Sequence, residues 1–596
     1  MPCKSHEAYS QPHLLDSMLL PLSAWVKNLK AEDIYFMNEI KTDVLIIGAG
    51  GAGLRAAIEA RDAGAEVLVL SKSILGKAHT VMAEGGIAVA LANNSQDSWE
   101  AHFKDTMIEG QLINNWKMVK LLAQEVPERI KELEEWGAIF DRDENGKIAQ
   151  RAFGAHTYKR VSYVGDRTGL EIIRTLQDQV IAKNINVVDE AFVTKIIKTN
   201  MVCGAIAVDL KEGVPFIIYA KAIIIATGGV GRVYKTTSNS WETCGDGVAL
   251  AFDIGAELQD MEMIQFHPTG MVYPKSAAGL LVTEAVRGEG GILLNAKGER
   301  FMTKYDAKRM ELSARDVVAR AIYNEIKNGN ATEHGAVWLD ITHKGSDYIM
   351  EKLPSMYQQY KDFANVNITK EKMEVAPTAH YTMGGIRTNE NCETSVAGLF
   401  VTGEAAAGVH GANRLGGNSL ADILVFGKHA GASAAAYAKK QNLQQVTDKE
   451  IENEIRRIEA PLKENGENTA KVKERIQEIM WKNVGIARNK KDLQNALDEI
   501  SKIKKIKLAV KGSLTYNQSW LEAMCIPAMI TICEAIIKSA LAREESRGAH
   551  FRDDFPKQDD KNWLKNIICK NIRGEIKIEK INVSEMPDEL KKITED

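Results

Sequence analysis

The sequence has few cysteines, and their spacing pairs none of them. Seven cysteines occur in 596 residues, at positions 3, 203, 244, 392, 525, 533 and 569, and no C-x-x-C pair is present. This scatter argues against a disulfide framework and against iron–sulfur or zinc ligation within the chain. It fits a reducing compartment.

The sequence also lacks a strong charge bias and a long uninterrupted hydrophobic run. The formal net charge is −4, and no stretch interleaves basic residues with aromatic ones, so nucleic acid is not a favoured partner. The most apolar run, Met524 to Ala542, contains Pro527, Glu534 and Lys538, so we predict that the chain does not span a membrane. With 45% apolar and 26% charged residues, the composition is typical of a globular protein of two to four domains.

The first 36 residues differ from the rest of the chain. They contain a short apolar patch, SMLLPLSAWV, with no twin arginine, which is a weak secretory signal. Met37 opens MNEIKTDVLIIGAG, a natural beginning for a domain that starts with a strand. We interpret residues 1–40 as an N-terminal extension that lies largely upstream of a start at Met37.

A dinucleotide-binding motif comes directly after Met37. Residues 42–47 form a short β-rich run, GAGGAG follows, and an alanine-rich helix is predicted through Ala63. Gly48, Gly50 and Gly53 match G-x-G-x-x-G between a strand and a helix. In that setting the backbone approaches a pyrophosphate, which binds at the N-terminus of the helix.

The second strand indicates which dinucleotide is bound. AEVLVLSKS, residues 65–73, reads as a strand, and its end carries Ser71 and Lys72 instead of the acid that binds the ribose of NAD. This departure favours FAD, held partly by other segments. Residues 220–234 and 398–427 each read as a buried strand followed by a glycine turn, so we predict one sheet assembled from distant pieces.

The remaining stretches suggest two more units. The segment between the second and third glycine turns, about residues 265–379, is predicted to be an inserted domain over the cofactor. From Val446 the chain becomes charged and helical, and TDKE at residues 447–450 is a capping box. We interpret the lysine run at 489–507 as a solvated helix face.

With these pieces in place, the chain resembles the flavoprotein subunit of the succinate dehydrogenase and fumarate reductase family over residues 41–565. The motifs that carry the resemblance are HTVMAEGG (79–86), QFHPTG (265–270), TEAVRGEGG (283–291), ELSARD (311–316), APTAHYTMGGI (376–386), HGANRLGGNSLAD (410–422) and SRGAHFRDDFPKQDDKNWL (546–564).

The resemblance implies an α/β fold with three domains. A Rossmann-like FAD-binding domain is expected from residues 41–264 and 380–440, with an inserted α+β capping domain at 265–379. A C-terminal helical domain at 441–545 and a tail at 546–596 complete the chain. We expect the end of the tail to be loose.

The resemblance also implies an activity. The chain is expected to be a flavoprotein oxidoreductase that interconverts succinate and fumarate by hydride transfer between FAD N5 and the dicarboxylate. His79 is expected to carry FAD covalently, although a lone histidine is more often a cap or core residue. The nearest alternative is L-aspartate oxidase, which binds FAD without a covalent bond; a non-catalytic electron-transfer subunit is a third interpretation.

Family positions give the candidate residues. Those for substrate binding are His267, Thr283, Glu284, His380 and Arg414. Arg315 matches the proton donor, with Glu284 and Arg287 as a relay. An arginine is a poor general acid, so this role requires a dry pocket with further cations. One alternative is that Arg315 forms an ion pair with Asp316 or another carboxylate and only shapes the capping domain; the other is that His267 or His380 is the acid.

The cofactor positions are more numerous. Those that match FAD contacts are Gly48, Gly50, Gly53, Ser71, Lys72, His79, Thr80, Glu84, Gly85, Gly86, Asp246, Glu404, Ser419 and Leu420. No metal site is expected.

Partners follow from the chemistry. A flavin chain without cluster ligands is expected to exchange electrons with an iron–sulfur subunit. Either a membrane anchor with quinone or a soluble thiol-linked partner completes the assembly, and both the tricarboxylic acid cycle and anaerobic respiration remain open as settings. We expect a cytoplasmic protein, free or held at the cytoplasmic face of the membrane by its partners.

Overall fold

The computed structural model describes residues 38–93, 95–463 and 465–595. The extension predicted at residues 1–40 lies outside them except for its last three residues. The strands, numbered in chain order, are β1 (Asn38–Ile47), β2 (Val67–Leu70), β3 (Ile87–Ala88), β4 (Gln150–Arg151), β5 (Val161–Ser162), β6 (Asn186–Val188), β7 (Ala191–Lys198), β8 (Val202–Asp209), β9 (Val214–Ile225), β10 (Leu258–Gln259), β11 (Ile264–Met271), β12 (Ile292–Leu294), β13 (Val337–Asp340), β14 (Met373–Thr382), β15 (Gly385–Ile386), β16 (Leu399–Val401), β17 (Glu467–Asn468), β18 (Ala487–Arg488), β19 (Leu508–Ala509), β20 (Phe551–Arg552), β21 (Lys565–Ile572) and β22 (Glu575–Asn582).

The helices are α1 (Gly51–Asp62), α2 (Trp99–Glu109), α3 (Trp116–Glu135), α4 (Thr168–Ala182), α5 (Asp246–Asp253), α6 (Ala285–Gly288), α7 (Arg315–Lys327), α8 (Ser346–Lys352), α9 (Pro354–Ala364), α10 (Asn418–Ala438), α11 (Asp448–Lys463), α12 (Thr469–Asn483), α13 (Lys490–Ile503), α14 (Gln518–Ala542), α15 (Asp560–Trp563) and α16 (Asp588–Glu595).

The largest sheet joins distant parts of the chain, as predicted. Its order is β6-β2-β1-β9-β8-β7, and β16 pairs with β9. Strands β6, β2, β1, β9 and β16 run parallel, and their apolar runs are buried because helices such as α1 and α10 pack on the sheet. The first strand is longer than predicted, since it begins at Asn38 and pairs with β9 over its whole length.

A second sheet lies within the predicted insertion. Its order is β11-β14-β13-β12, all antiparallel, and helix α7 packs on β11 and β14. The pairing of β11 with β14 is irregular between Gln265 and Phe266 and between His267 and Gly270. These irregularities change the directions of the side chains within the motif QFHPTG. In a regular strand these side chains would simply alternate between the two faces of the sheet.

The C-terminal part is helical, as predicted, and α11 begins at Asp448, directly after the capping threonine. Helix α14 packs against α12, α13 and α5. Among the described residues, α14 alone is long and apolar enough to cross a membrane. Its most apolar 18-residue stretch has a mean hydropathy of 1.7, but 78% of that stretch is buried inside the protein.

The prediction of a loose tail is wrong. Strand β21 pairs with both β10 and β22, and α16 packs on α2. Leu590 is buried in a cluster with Phe103, and Trp116 donates a hydrogen bond to the carbonyl of Glu585 at 3.0 Å. The tail is ordered because it completes a sheet and covers an apolar cluster elsewhere in the chain.

Candidate active site

One cavity runs from the glycine turn after β1 to a group of buried arginines. Its walls come from α1, from the loop after β2, from β11 and from the segment between β14 and α10. The cavity collects every predicted site residue except Gly53 and Arg287. Residues from far apart in the sequence therefore form one continuous site.

The glycine turn makes room for a phosphate-bearing ligand. Gly48 has a φ of +114°, and a Cβ there would lie 2.3 Å from the carbonyl oxygen of Ala226. Gly50 directly precedes α1 and lines the cavity at the positive end of that helix. Gly53 does not face the cavity as predicted: a Cβ there would meet the Gly48 carbonyl at 1.9 Å, so it allows the helix to pack on the turn.

Lys72 and Asp246 form a buried ion pair at the same end. Their Nζ and Oδ2 atoms are 3.1 Å apart, and Asp246 begins α5. Burial lowers the pKa of Lys72, but Asp246, Cys244 and Cys525 together outweigh burial, so the pKa is raised and the side chain stays cationic. A fixed cation suits an anionic nucleotide.

Several buried polar atoms on the cavity wall have no partner among the described residues. These atoms are Glu84 Oε2, Thr227 Oγ1, Ser240 Oγ, Glu242 Oε2 and Thr402 Oγ1. Buried polar groups are usually hydrogen-bonded, so such atoms indicate a polar ligand. Together with the glycine turn and Lys72, they fit FAD.

His79 lies midway along the cavity, in a 3-10 turn formed by residues 79–82. Its Nδ1 accepts a weak hydrogen bond from the Ser240 amide at 3.3 Å, and its Nε2 lies 3.5 Å from the Asn239 amide nitrogen. Burial, with Arg232 and Arg414 nearby, lowers the pKa of His79 to about 4. The imidazole is therefore neutral at neutral pH, and the contacts at its ring nitrogens are long.

Arg315 lies at the far end of the cavity, against Glu284. Two of its nitrogens are 2.7 Å from Glu284 Oε2. Burial raises the pKa of Glu284, but Arg315 and Arg287 outweigh this effect and lower it. Arg315 therefore pairs with a carboxylate, as the alternative interpretation expected, but that carboxylate is Glu284, and Asp316 is bound to Arg320 at 2.8 Å.

Arg287 stands behind Glu284 and outside the cavity wall. Its Nη2 is 3.7 Å from Glu284 Oε2, and its Nη1 donates to the Glu311 carbonyl at 2.6 Å. Burial lowers the pKa of Arg287. The predicted series of Arg315, Glu284 and Arg287 is therefore continuous in space.

Gln265 is a site residue that sequence reasoning missed. Its Oε1 accepts hydrogen bonds from Arg315 at 3.1 Å and from Arg414 at 3.0 Å. Its amide nitrogen donates to Asn413 Oδ1 and to the Arg414 carbonyl, both at 2.8 Å. One carbonyl oxygen thus holds two guanidinium groups side by side. The available signal was its position at the start of QFHPTG, where a polar residue begins a buried strand.

This network continues to a buried acid. Asn413 donates to Glu109 at 2.6 Å and to Asp316 at 2.9 Å. Burial, followed by Asp316 and Glu284, raises the pKa of Glu109. Because the acids accept, Asn413 must present its oxygen to Gln265, which fixes the orientation of both amides.

Two of the three histidines that line the cavity, His267 and His380, lie together. The rings of His267 and His380 have centroids 5.1 Å apart. Nδ1 of His267 faces the Thr269 carbonyl at 3.0 Å, and Nδ1 of His380 faces Ser238 Oγ at 2.8 Å. Burial and neighbouring groups lower the pKa of both histidines, so they are neutral at neutral pH.

The fold and the cavity define an FAD-dependent oxidoreductase. A family model described as "FAD binding domain" matches residues 43–420, and one described as "Fumarate reductase flavoprotein C-term" matches residues 473–593. The chain belongs to the fumarate reductase and succinate dehydrogenase flavoprotein family.

Named relatives agree with this assignment. One of the subunits of the fumarate reductase (CoM/CoB) of Methanothermobacter marburgensis is 46% identical over 88% of this chain and 96% of its own length. The fumarate reductase flavoprotein subunit of Escherichia coli is 37% identical over 89% of this chain and 92% of its own length.

Solved structures agree as well. Mycobacterium smegmatis Sdh1 in complex with UQ1 matches with a TM-score of 0.84 and 44% identity, covering 92% of this chain and 95% of that one. The FrdA chain of E. coli quinol fumarate reductase matches with a TM-score of 0.88 and 35% identity, covering 92% and 98%. The α/β fold with a C-terminal helical part is confirmed.

Proposed function

We propose that the chain interconverts fumarate and succinate. The observation that carries this proposal is the pair of arginines, Arg315 and Arg414, held by one glutamine oxygen in the flavin cavity, together with two neutral histidines. A four-carbon dicarboxylate needs cationic groups for its two carboxylates, and arginine binds a carboxylate through two parallel hydrogen bonds. L-aspartate oxidase is not favoured, since the named relatives are fumarate reductase and succinate dehydrogenase subunits.

Each side chain has a distinct task in this proposal. Arg414, Thr283 and the two histidines bind and orient the dicarboxylate. FAD, when bound, supplies or accepts the hydride. Arg315 delivers the proton to the neighbouring carbon, and Glu284, with Arg287 behind it, passes a new proton from solvent to Arg315 through ion pairs at 2.7 Å and 3.7 Å.

We propose that residues 265–379 form a capping domain that closes this site. Thr283, Glu284 and Arg315 come from that segment, and Arg414 comes from the flavin-binding part. His380 lies on β14, the strand with which the segment ends. A site divided in this way is completed only when the two parts meet, which would exclude water from the reacting atoms.

We propose that His79 carries FAD covalently. Its neutral imidazole and its place on the cavity wall support this role. A covalent link is expected to raise the flavin potential, and about 30 mV corresponds to about 1.4 kcal/mol for a two-electron couple. A modest shift would therefore decide whether succinate oxidation is feasible.

The test combines flavin retention with assays in both directions. Acid-precipitated protein should keep FAD on the peptide that contains His79. The His79→Ser variant should bind FAD without a covalent bond, keep part of its fumarate reduction and lose succinate oxidation. The control is His343→Ser at an exposed position, which should match the wild type. Equal losses in both directions would contradict the role of His79, and flavin that washes out of wild type would restore L-aspartate oxidation as a candidate.

An iron–sulfur subunit is the proposed electron partner. Relatives include a chain of a quinol fumarate reductase and one from a fumarate reductase (CoM/CoB), which supports either a quinone-linked or a thiol-linked assembly. Co-purification of the native complex, followed by assays with reduced thiols and with quinols, distinguishes the two. The same complex would show whether its partners hold the chain at the cytoplasmic face of a membrane.

A further inference from the structure

Two free thiols lie behind the nucleotide end of the cavity and have no task in the proposed reaction. Cys244 stands just before α5, and Cys525 lies in α14. The Nζ atom of Lys72 donates to Cys244 Sγ at 3.3 Å and to Cys525 Sγ at 3.4 Å. Each sulfur therefore lies within 3.4 Å of the same nitrogen, which brings the two thiols close together. The fold thus brings together two sulfur atoms and one ammonium from three distant segments.

The ammonium is held in place independently of the thiols. Lys72 Nζ is 3.1 Å from Asp246 and donates to the Glu242 carbonyl at 3.3 Å. It also lies 5.0 Å from the centre of the Phe192 ring and 5.7 Å from that of Trp241. A fixed cation beside a sulfur favours the thiolate, which is the reactive form of cysteine.

The two sulfurs are not equivalent. The neighbouring Cys244 side chain lowers the pKa of Cys525, and Lys72 adds to this effect against the opposing influence of burial. The neighbouring Cys525, together with burial, raises the pKa of Cys244. Cys533 lies two turns further along α14, where burial raises its pKa. One helix therefore carries a thiol shifted toward its reactive thiolate form and an ordinary buried thiol.

We propose that Cys525 and Cys244 form a redox-active dithiol site whose oxidising substrate is a hydroperoxide. The Cys525 thiolate attacks one peroxide oxygen, the O–O bond breaks, and the departing hydroxide takes up a proton to become water. The sulfur of Cys244 then attacks the sulfenic acid on Cys525, an S–S bond forms, and the second oxygen leaves as water with the Cys244 proton. Two thiols and one hydrogen peroxide give one disulfide and two waters.

The position of the two cysteines determines how an oxidant would approach them and which parts of the chain their disulfide would connect. Both cysteines are more than nine-tenths buried and neither lines the cavity, but Lys72, which donates to both sulfurs, lines its nucleotide end. Hydrogen peroxide would therefore approach the thiols from that end. The disulfide would link α14 to the segment that precedes α5. It would thereby connect the C-terminal helices covalently to the flavin-binding part of the chain.

The test uses the FAD-loaded protein, reduced and then treated with hydrogen peroxide. Free thiols are alkylated, the chain is digested without reduction, and the peptides are identified by mass. We expect a linked pair of peptides that contains Cys244 and Cys525, with Cys533 still alkylated. Cys525→Ser should abolish the linked pair, Cys244→Ser should leave a trappable sulfenic acid on Cys525, and Cys533→Ser should change neither.

Three results would overturn the proposal. The first is wild-type protein in which Cys244 and Cys525 stay alkylated while Cys533 is oxidised. The second is a sulfenic acid on Cys525 that persists in wild type without the cross-link. The third is cross-linking at the same rate when Lys72 is replaced by methionine, because loss of the cation should slow attack about tenfold for each unit by which the pKa of Cys525 rises. If a variant does not retain FAD, the wild-type peptide map alone decides.

Discussion

Replacing Gln265 by methionine tests whether a shared acceptor holds the two active-site arginines. Methionine has a similar length and fills the fully buried position, but it offers no carbonyl oxygen. Arg315 and Arg414 would lose the acceptor that lies about midway between them, at 3.1 Å and 3.0 Å. Two like charges would then face each other directly, and we expect them to separate.

The magnitude follows from the bonds that are lost. A hydrogen bond to a charged group contributes about 1.5 to 3 kcal/mol, so two give about 3 to 6 kcal/mol. Glu284 still holds Arg315 and Ser419 still bonds to Arg414, which favours the lower value. A loss of about 3 kcal/mol corresponds to a fall in kcat/KM of about a hundredfold.

The assay is steady-state fumarate reduction with a reduced dye, with flavin content measured alongside. Gln150→Met is the matched control. Gln150 also donates two hydrogen bonds, to the backbone carbonyls of Val89 and Arg160, but it does not contact Arg315 or Arg414. If Gln265→Met keeps kcat/KM within about threefold of wild type at full flavin loading, the shared oxygen does not position the arginines.

Three further predictions concern the catalytic acid and the stability of the chain. Arg315→Lys should abolish turnover while dicarboxylate analogues still bind, and retained turnover would favour a histidine acid. Glu545→Gln should destabilise the fold by about 1 to 3 kcal/mol, because Arg543 and Arg547 each lose one charged partner while Glu262 and Asp560 remain, whereas the exposed Glu544→Gln should change little in thermal unfolding. Burial, Arg488 and other arginines hold the pKa of His550 well below its usual value. The folded state therefore loses stability, and its melting temperature decreases, as the pH falls below about 6.5. His550→Asn should make this decrease in melting temperature smaller, and a variant with the same decrease as wild type would refute the prediction.

Local features of the fold could be predicted from the sequence, whereas long-range partners could not. The strand, glycine turn and helix at the start of the domain depend on neighbouring residues, and the structure agrees with them to within a few positions. The assembly of the main sheet from distant pieces followed from three similar segments. The packing of the tail was missed because β21 and α16 contact elements some hundreds of residues away, and no periodicity reports such a partner.

For the candidate site as well, the sequence indicates local features but not long-range contacts. The motifs indicate which residues to consider, but not what each one touches. The sequence assigns Lys72 to the cofactor, yet its ammonium also binds two thiols that no motif connects to it. Gln265 lies inside the motif QFHPTG without an expected task, because an amide gains a role only when two guanidinium groups converge on it. Such roles depend on pairs of distances, which a sequence does not contain.

The arginines of this chain fall into two groups that look alike in sequence but differ in charge balance. Around the C-terminal motif, Arg543, Arg547 and Arg552 are each bound to an acid, so their charges are matched within the protein. At the cavity, Arg315 and Arg287 share the single acid Glu284, and Arg414 binds only neutral groups in the described residues. A buried excess of positive charge is costly unless a ligand neutralises it. The excess of positive charge at the cavity is thus a physical reason to expect a ligand with two carboxylates. The same charge balance distinguishes the arginines proposed to bind the ligand from those paired with acids around the C-terminal motif.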